Sequence, residues 1–235
     1  MHDLDGITGF KFKSIRHAKG IIETDFPEVV INLYKSLEMF DVRKEDIVSS
    51  GGGLSPIVQG FSRVLRENGW HEKNFLYEAR INDEVSERFE FSSDFFYLNR
   101  GSLPGISLVI EWNNKDPFFD RDLEQFKQMH KFGIISAGIL ITRGESLQSQ
   151  LLSVFRDFLS KNDDVLEGEI IKLKGLSERV RKKPNNKLNI VAKALFSSKF
   201  GQATTHWDKL IKRVNNKVGD PCPLLVVGIE KERLV

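Results

Sequence analysis

Ile106-Ser-Leu-Val-Ile-Glu-Trp112 and, after a helical stretch, Ile134-Ile-Ser-Ala-Gly-Ile-Leu-Ile-Thr142 decide the architecture of this 235-residue chain. In the first segment Ile106, Leu108, Ile110 and Trp112 share one face. Ser107, Val109, Glu111, Asn113 and Lys115 share the other, the period of a strand whose two sides differ. The second segment is a continuous apolar run, the pattern of a strand covered on both faces. Between them Leu123, Phe126 and Met129 recur at helical spacing, with Asp116 or Asp120 as cap and Gly133 as stop. Strand, helix and second buried strand predict an α/β fold: a central mixed sheet with flanking helices.

Outward from this unit, residues 74–98 read as β structure. Phe75, Tyr77 and Ala79 lead to Phe89, Phe91 and Phe95-Phe96-Tyr97, and Asn99-Arg100-Gly101 forms the next turn. Glu145 to Leu159 reads as a helix, and Leu224 to Ile229 as a last strand after Pro221-Cys222-Pro223. The centre is therefore β–β–α–β–α. Upstream, residues 24–41 predict one amphipathic helix, with Thr24 or Asp25 as cap and Pro27 in its first turn. Gly51-Gly52-Gly53 breaks the chain before a helix from Ser55 to Asn68, ended by Gly69. The triple glycine is not a phosphate loop, because no Gly-Lys-Ser/Thr follows and no apolar strand precedes it. Residues 160–200 read as a polar, inserted segment.

Lys and Arg number 35 against 33 Asp and Glu, a net charge of +2, which permits a nucleic-acid partner without requiring one. A single cysteine, Cys222, excludes an internal disulfide and a cysteine-only zinc site. Residues 1–20 lack the pattern of a secretory signal, and Gly133 to Thr142 is about half the length that crosses a bilayer. A soluble, cytoplasmic protein is expected.

The chemistry centres on Glu111, at the end of a buried strand. Burying a carboxylate there is costly unless a cation satisfies it. Asp94 lies upstream, across a hairpin. An acid, a hairpin, then acid-x-polar at the end of the next strand is the general plan of the PD-(D/E)xK nucleases.

A longer string narrows the reading. Glu111-Trp-Asn-Asn-Lys-Asp-Pro-Phe-Phe-Asp-Arg-Asp122 and Ile135-Ser-Ala-Gly-Ile-Leu-Ile-Thr-Arg143 resemble the BglII-type restriction endonuclease family. So do Gly201-Gln-Ala-Thr-Thr-His-Trp-Asp-Lys-Leu210, Cys222-Pro-Leu-Leu-Val-Val-Gly-Ile229, Ser49-Ser-Gly-Gly-Gly-Leu-Ser55 and Gly69-Trp-His-Glu-Lys73. The resemblance implies a restriction-endonuclease-like core in one domain over residues 1–235. Residues 1–75 would be a helical flank, 76–159 the catalytic core, 160–200 the polar and basic insertion, and 201–235 the rest of the core.

It also implies a homodimer that cleaves double-stranded DNA at a short palindrome with Mg²⁺, alongside a separately encoded methyltransferase. Carried over by position, Asp94 and Glu111 are the metal carboxylates. Asn113 takes the third place, which is Lys in most PD-(D/E)xK nucleases but Gln or Glu in closer relatives, and orients water rather than acting as a base. Ser93 stands where Pro usually precedes the acid and the Asp-to-Glu gap is longer, so Glu87 or Glu90 is the alternative to Asp94.

Lys115 either faces the scissile phosphate or is a solvated partner of Asp116. Asn114 and Asp116, just past the strand, are expected at the DNA, although Asn114 equally suits a turn. Thr204, Thr205, His206 and Lys209 are DNA contacts by resemblance and an ordinary helix start by local chemistry. Arg179, Arg181, Lys182, Lys183 and Lys187 form the densest basic cluster, either tracking a DNA backbone or a solvated face. Arg143 either pairs with Glu145 or reaches a phosphate. Two other classes stay open: a DNA-binding protein with this fold that does not cut, and a monomeric nickase or repair nuclease.

Overall fold

The computed structural model describes residues 4–49, 55–99, 102–173 and 175–235. The triple glycine at 51–53 and two residues of the turn, Arg100 and Gly101, lie outside the described residues. In chain order the first half runs β1 (Phe10–Ile15), α1 (Ala18–Asp25), α2 (Pro27–Glu38), α3 (Lys44–Ser49), α4 (Pro56–Glu67), β2 (His71–Ile81), β3 (Glu84–Asn99) and β4 (Ser102–Glu111). The second half runs α5 (Phe118–Lys131), β5 (Ile135–Arg143), α6 (Glu145–Lys161), α7 (Asp163–Lys172), α8 (Leu176–Lys182), α9 (Lys187–Phe200), α10 (Trp207–Asn215) and β6 (Leu224–Ile229).

Among the described residues the strands form one sheet of order β1-β6-β5-β4-β3-β2. Its centre, β4-β5-β6, is parallel, while β1 and the β2-β3 hairpin are antiparallel. This is the mixed sheet expected, because the β4-α5-β5 crossover forces parallel pairing whereas the hairpins allow antiparallel edges. The alternation in β4 sorts as read. Ile106, Leu108, Ile110 and Trp112 enter the larger core with α1–α4, α6 and α9, and Val109 borders the smaller core with α5 and α10. Gly138 on β5 is required by packing, since the Phe126 ring of α5 occupies the space where a Cβ would lie. Gly133, at φ +68°, ends the turn after α5 in a conformation that favours glycine.

Several local readings are corrected. Strand β1 was not anticipated. Its Phe10-Lys-Phe-Lys-Ser-Ile15 alternation is short and half basic, and it becomes a strand by pairing along β6 at the sheet edge. The single helix over 24–41 is two, α1 and α2, joined at Phe26, with Pro27 in the first turn of the second and neither Thr24 nor Asp25 capping it. Helix α5 begins after Pro117 with no side-chain cap, so neither Asp116 nor Asp120 serves as one. Strand β4 starts at Ser102.

Residues 160–200 are not an open polar segment. They form α7, α8 and α9, which place Leu166, Ile170, Leu176, Val191, Leu195 and Phe200 in the larger core. Their charged residues lie on the outer faces of short helices, and that masked the apolar stripe in sequence. No described helix is long and apolar enough to cross a membrane.

Candidate active site

Glu111 is the last residue of β4, paired in register with Thr142 of parallel β5. The C-terminal ends of parallel strands are where α/β sheets leave a crevice for ligands. The loop that follows is fastened rather than free. Asn114 O accepts from Thr205 N at 2.8 Å, Ala203 O accepts from Asp116 N at 2.9 Å, and Thr142 Oγ1 donates to Glu111 O at 2.7 Å. These bonds hold the Glu111 backbone against the 201–205 segment, so its side chain points from a fixed base into a cleft of about 830 Å³.

Two more acids lie near Glu111, Asp94 in the same cleft and Asp122 in a hollow beside it. Between His71 and Lys73 of β2, strand β3 advances from Phe96 to Ser93, one residue more than its partner, so the register is broken over Asp94 and Phe95. Bulges re-aim side chains beside active sites. Exposed Asp94 borders the cleft with Glu111 and a second hollow with Asp122. Ser93, in place of proline, is buried and shares a 2.7 Å hydrogen bond with Ser107 of β4, which ties the bulge to the strand carrying Glu111. Glu87 and Glu90 lie exposed farther out on the hairpin, opposite Ala79 and Leu76, and do not border the cleft.

The third acid was not anticipated from sequence. Asp122 lies on the buried side of α5 between Phe119 and Leu123 and is 5% exposed. An acid on the apolar stripe of an amphipathic helix was the available signal. Arg121 beside it donates from Nε and Nη2 to Asp122 Oδ1 at 2.9 and 2.8 Å, and its Nη2 lies 3.7 Å from Glu111 Oε1. Asn114 Nδ2 donates to Glu111 Oε2 at 2.9 Å. That engages the amide expected to face DNA.

Burial pushes the Glu111 carboxyl up to about 8. The Asp122 charge adds to the shift, and the Asn114 hydrogen bond opposes it. Burial also raises Asp122, against the pull of Arg121. Two buried acids in contact do not both ionise without a cation between or beside them. Asp122 Oδ2 is buried with no hydrogen-bond partner, and all the donors are hard carboxylate oxygens. That set fits Mg²⁺, which typically takes one or two protein carboxylates and completes its shell with water and phosphate oxygens. A ready-made cage of three or more such ligands is not found among the described residues.

The opposite wall is α4. Ser55 caps it, accepting from Val58 N at 3.2 Å, and Pro56 fills its first turn. Ile57, Phe61 and Leu65 are buried, which turns Gln59, Arg63 and Arg66 toward the cleft. Neither arginine has an ion-pair partner among the described residues, and Arg66 lies 5.8 Å over the Phe95 ring. Neither arginine was singled out in sequence, where two basic residues on a surface helix face are ordinary.

The remaining candidates disperse. Asn113 is half-buried and borders the cleft. Lys115 is exposed, bridges Thr204 and does not border it. Asp116 is held by Lys209 at 3.5 Å and Arg213 at 3.7 Å. Arg143 makes no ion pair with Glu145 among the described residues. It is fully buried, donating to Thr204 Oγ1 at 2.8 Å and to Thr205 O, with its guanidinium 4.7 Å over Phe200.

Thr205 is fully buried too, and His206, 7% exposed, bonds Thr204 O through Nδ1 at 2.8 Å. Burial lowers the His206 pKa. Arg179, Arg181, Lys182 and Lys183 are exposed on and after α8. Three of them, Arg179, Lys182 and Lys183, line a separate groove of about 310 Å³ with Lys193.

A six-stranded mixed sheet between helices, with acids gathered at the end of a central strand, defines a restriction-endonuclease-like α/β fold. The chain matches the family described as restriction endonuclease BglII/BglIII over residues 10–229, and it belongs to that family. It is therefore a site-specific deoxyribonuclease, a hydrolase acting on double-stranded DNA. No curated protein matches it.

Proposed function

We propose that the protein is a type II restriction endonuclease that hydrolyses both strands of a short palindromic DNA site, as a Mg²⁺-dependent cytoplasmic homodimer. The observation that carries this reading is buried Glu111 at the end of β4, coupled to buried Asp122 of α5 and sharing a cleft of about 830 Å³ with Asp94. Glu111 and Asp94 would hold Mg²⁺, which when bound neutralises phosphate charge and makes water nucleophilic. Asn113 borders the same cleft and orients the attacking water through its amide, which has no basic function near neutral pH. Asn114 fixes the Glu111 carboxylate by its 2.9 Å bond.

Arg63 and Arg66 grip the backbone from the α4 wall, and Arg179, Arg181, Lys182 and Lys183 add contacts outside the cleft. Thr204, His206, Lys209, Lys115 and Asp116 act chiefly by bracing the loop after Glu111. A palindrome reader needs a two-fold partner, so the homodimer follows from the substrate. A separately encoded methyltransferase would protect host DNA.

The test is digestion of phage-length DNA with Mg²⁺ and with EDTA. Discrete fragments that require Mg²⁺ and disappear in Glu111→Ala support the reading. Intact DNA in a gel-shifted complex, on DNA carrying no modified bases, supports a binding protein that does not cut. The amide at Asn113 in place of lysine is the observation favouring that second reading. Nicked circles from a protein of monomer mass would replace the dimer with a single-strand nickase.

A further inference from the structure

Any phosphodiester drawn toward Glu111 meets a site lined by the carboxyl groups of Asp94, Glu111 and Asp122. The strand itself offers no cation, because residue 113 is an amide and Lys115 stands away from the cleft, bridged to Thr204. Arg63 and Arg66 line the cleft from α4 and have no ion-pair contact with these acids. Arg121 is different. Its guanidinium reaches both buried acids, and it borders both the main cleft and the hollow shared by Asp94 and Asp122.

We propose that Arg121 is the phosphate-facing cation of this active site, with Asp122 as the buried anchor that aims it. The inference rests on the nuclease reading and deepens it. Three geometric facts carry it. Arg121 spends Nε and Nη2 on a single oxygen, Asp122 Oδ1, so Nη1 makes no hydrogen bond among the described residues. Its side chain is 60% exposed although its partner is buried, so the head group projects from α5 into the opening. Its carbon centre lies 4.4 Å over the Phe118 ring, which limits its swing. A planar guanidinium offers parallel donors to two phosphate oxygens, as an ammonium does not. Charge that grows on the phosphoryl oxygens during displacement is stabilised most by a donor held in place beforehand. Arg121 is thus a catalytic residue and Asp122 a positioning residue.

The test uses the full-length protein and a duplex carrying the cleaved site, located by sequencing the ends of the digest. Single-turnover cleavage by Arg121→Gln is expected to fall about 100-fold or more, with Arg121→Lys between it and wild type. Binding is then measured in EDTA, on the native duplex and on duplexes bearing one uncharged methylphosphonate at successive positions. At the cleaved phosphate, neutralisation weakens wild type severalfold and leaves Arg121→Gln unchanged. Asp122→Asn reduces this coupling while Arg121 is still present.

An equal methylphosphonate penalty in wild type and Arg121→Gln, or wild-type cleavage by Arg121→Gln, overturns the proposal. In that case Arg121 only neutralises the acids of the free protein. Should Arg121→Gln fail to fold, Arg121→Met carries the same cycle, because it removes the charge and keeps an unbranched stem over Phe118. If wild type binds DNA and never cuts it, the nuclease reading fails instead. The methylphosphonate series on a binding-selected duplex then still shows whether one phosphate couples to Arg121.

Discussion

The ends of β4 and β5 lie side by side in the sheet, Glu111 against Thr142, and both strands finish on charged residues that are almost wholly buried. Their environments are opposite. At β4 the charge meets other acids, an exposed guanidinium and a cleft. At β5 Arg143 is sealed between Phe200, Trp112, the Thr204 hydroxyl and the Thr205 carbonyl, with no carboxylate paired to it among the described residues, and burial lowers its pKa to about 9. A charged residue at a strand end is therefore not by itself a sign of chemistry. What separates the two is the bonding capacity left facing open space. Arg143 Nε and Nη1 and Asp122 Oδ2 are all buried without a hydrogen-bond partner, but Arg143 faces a sealed interior, whereas Glu111 lines the cleft and Asp122 the hollow beside it.

The contrast fails if disabling either end has the same consequence. The largest effect is expected at Glu111. Glu111→Ala should lower the cleavage rate by about a thousandfold or more while retaining DNA binding in a gel shift. Next comes Arg143→Ala, expected to lower unfolding stability by about 2–4 kcal/mol in denaturant titration, through lost hydrogen bonds and a cavity. Its DNA affinity, measured on protein that remains folded, should not change. A loss of affinity without loss of stability would place Arg143 with the cleft after all.

Smaller effects belong to the α4 wall. Arg63→Ala and Arg66→Ala should each weaken binding severalfold on any DNA sequence and reduce the slope of log affinity against log salt by about 1. A change confined to one sequence would mean base reading instead of backbone grip. The smallest effect marks the sealed interior. Burial pushes the Cys222 thiol up to about 12 from 9.0, so it should stay unreactive toward a thiol reagent at pH 8 until the protein unfolds. The sign follows from linkage: a folded-state pKa above the unfolded one contributes stability that is full below about pH 9. That contribution is lost as pH rises toward 12. Cys222→Ala should flatten the alkaline decline in melting temperature.

Much of this was legible in order along the chain. Alternation in 106–112 and the apolar run at 134–142 give the two central strands, because side-chain period and burial are local consequences of backbone geometry. Glu111 stood out because a carboxylate at the end of such a strand needs compensation. Asp94 was named with Glu87 and Glu90 as alternatives, and the bulge in β3 is what brings Asp94, and neither glutamate, to the cleft.

Other features lay beyond any local pattern. Strand β1 exists because β6 offers an edge, α7–α9 bury a stripe that charged neighbours obscure, and α4 turns its arginines toward a cleft formed by distant strands. The sequence alone determined which segments are helix or strand at the centre, which family they belong to and which acid is costly to bury. Only the tertiary structure decided which charges meet: Asp122 with Glu111, Arg121 between them, Arg143 sealed away. Secondary structure follows from interactions a few residues apart, whereas electrostatic partnership depends on through-space distance and burial, which exist only once the chain has closed.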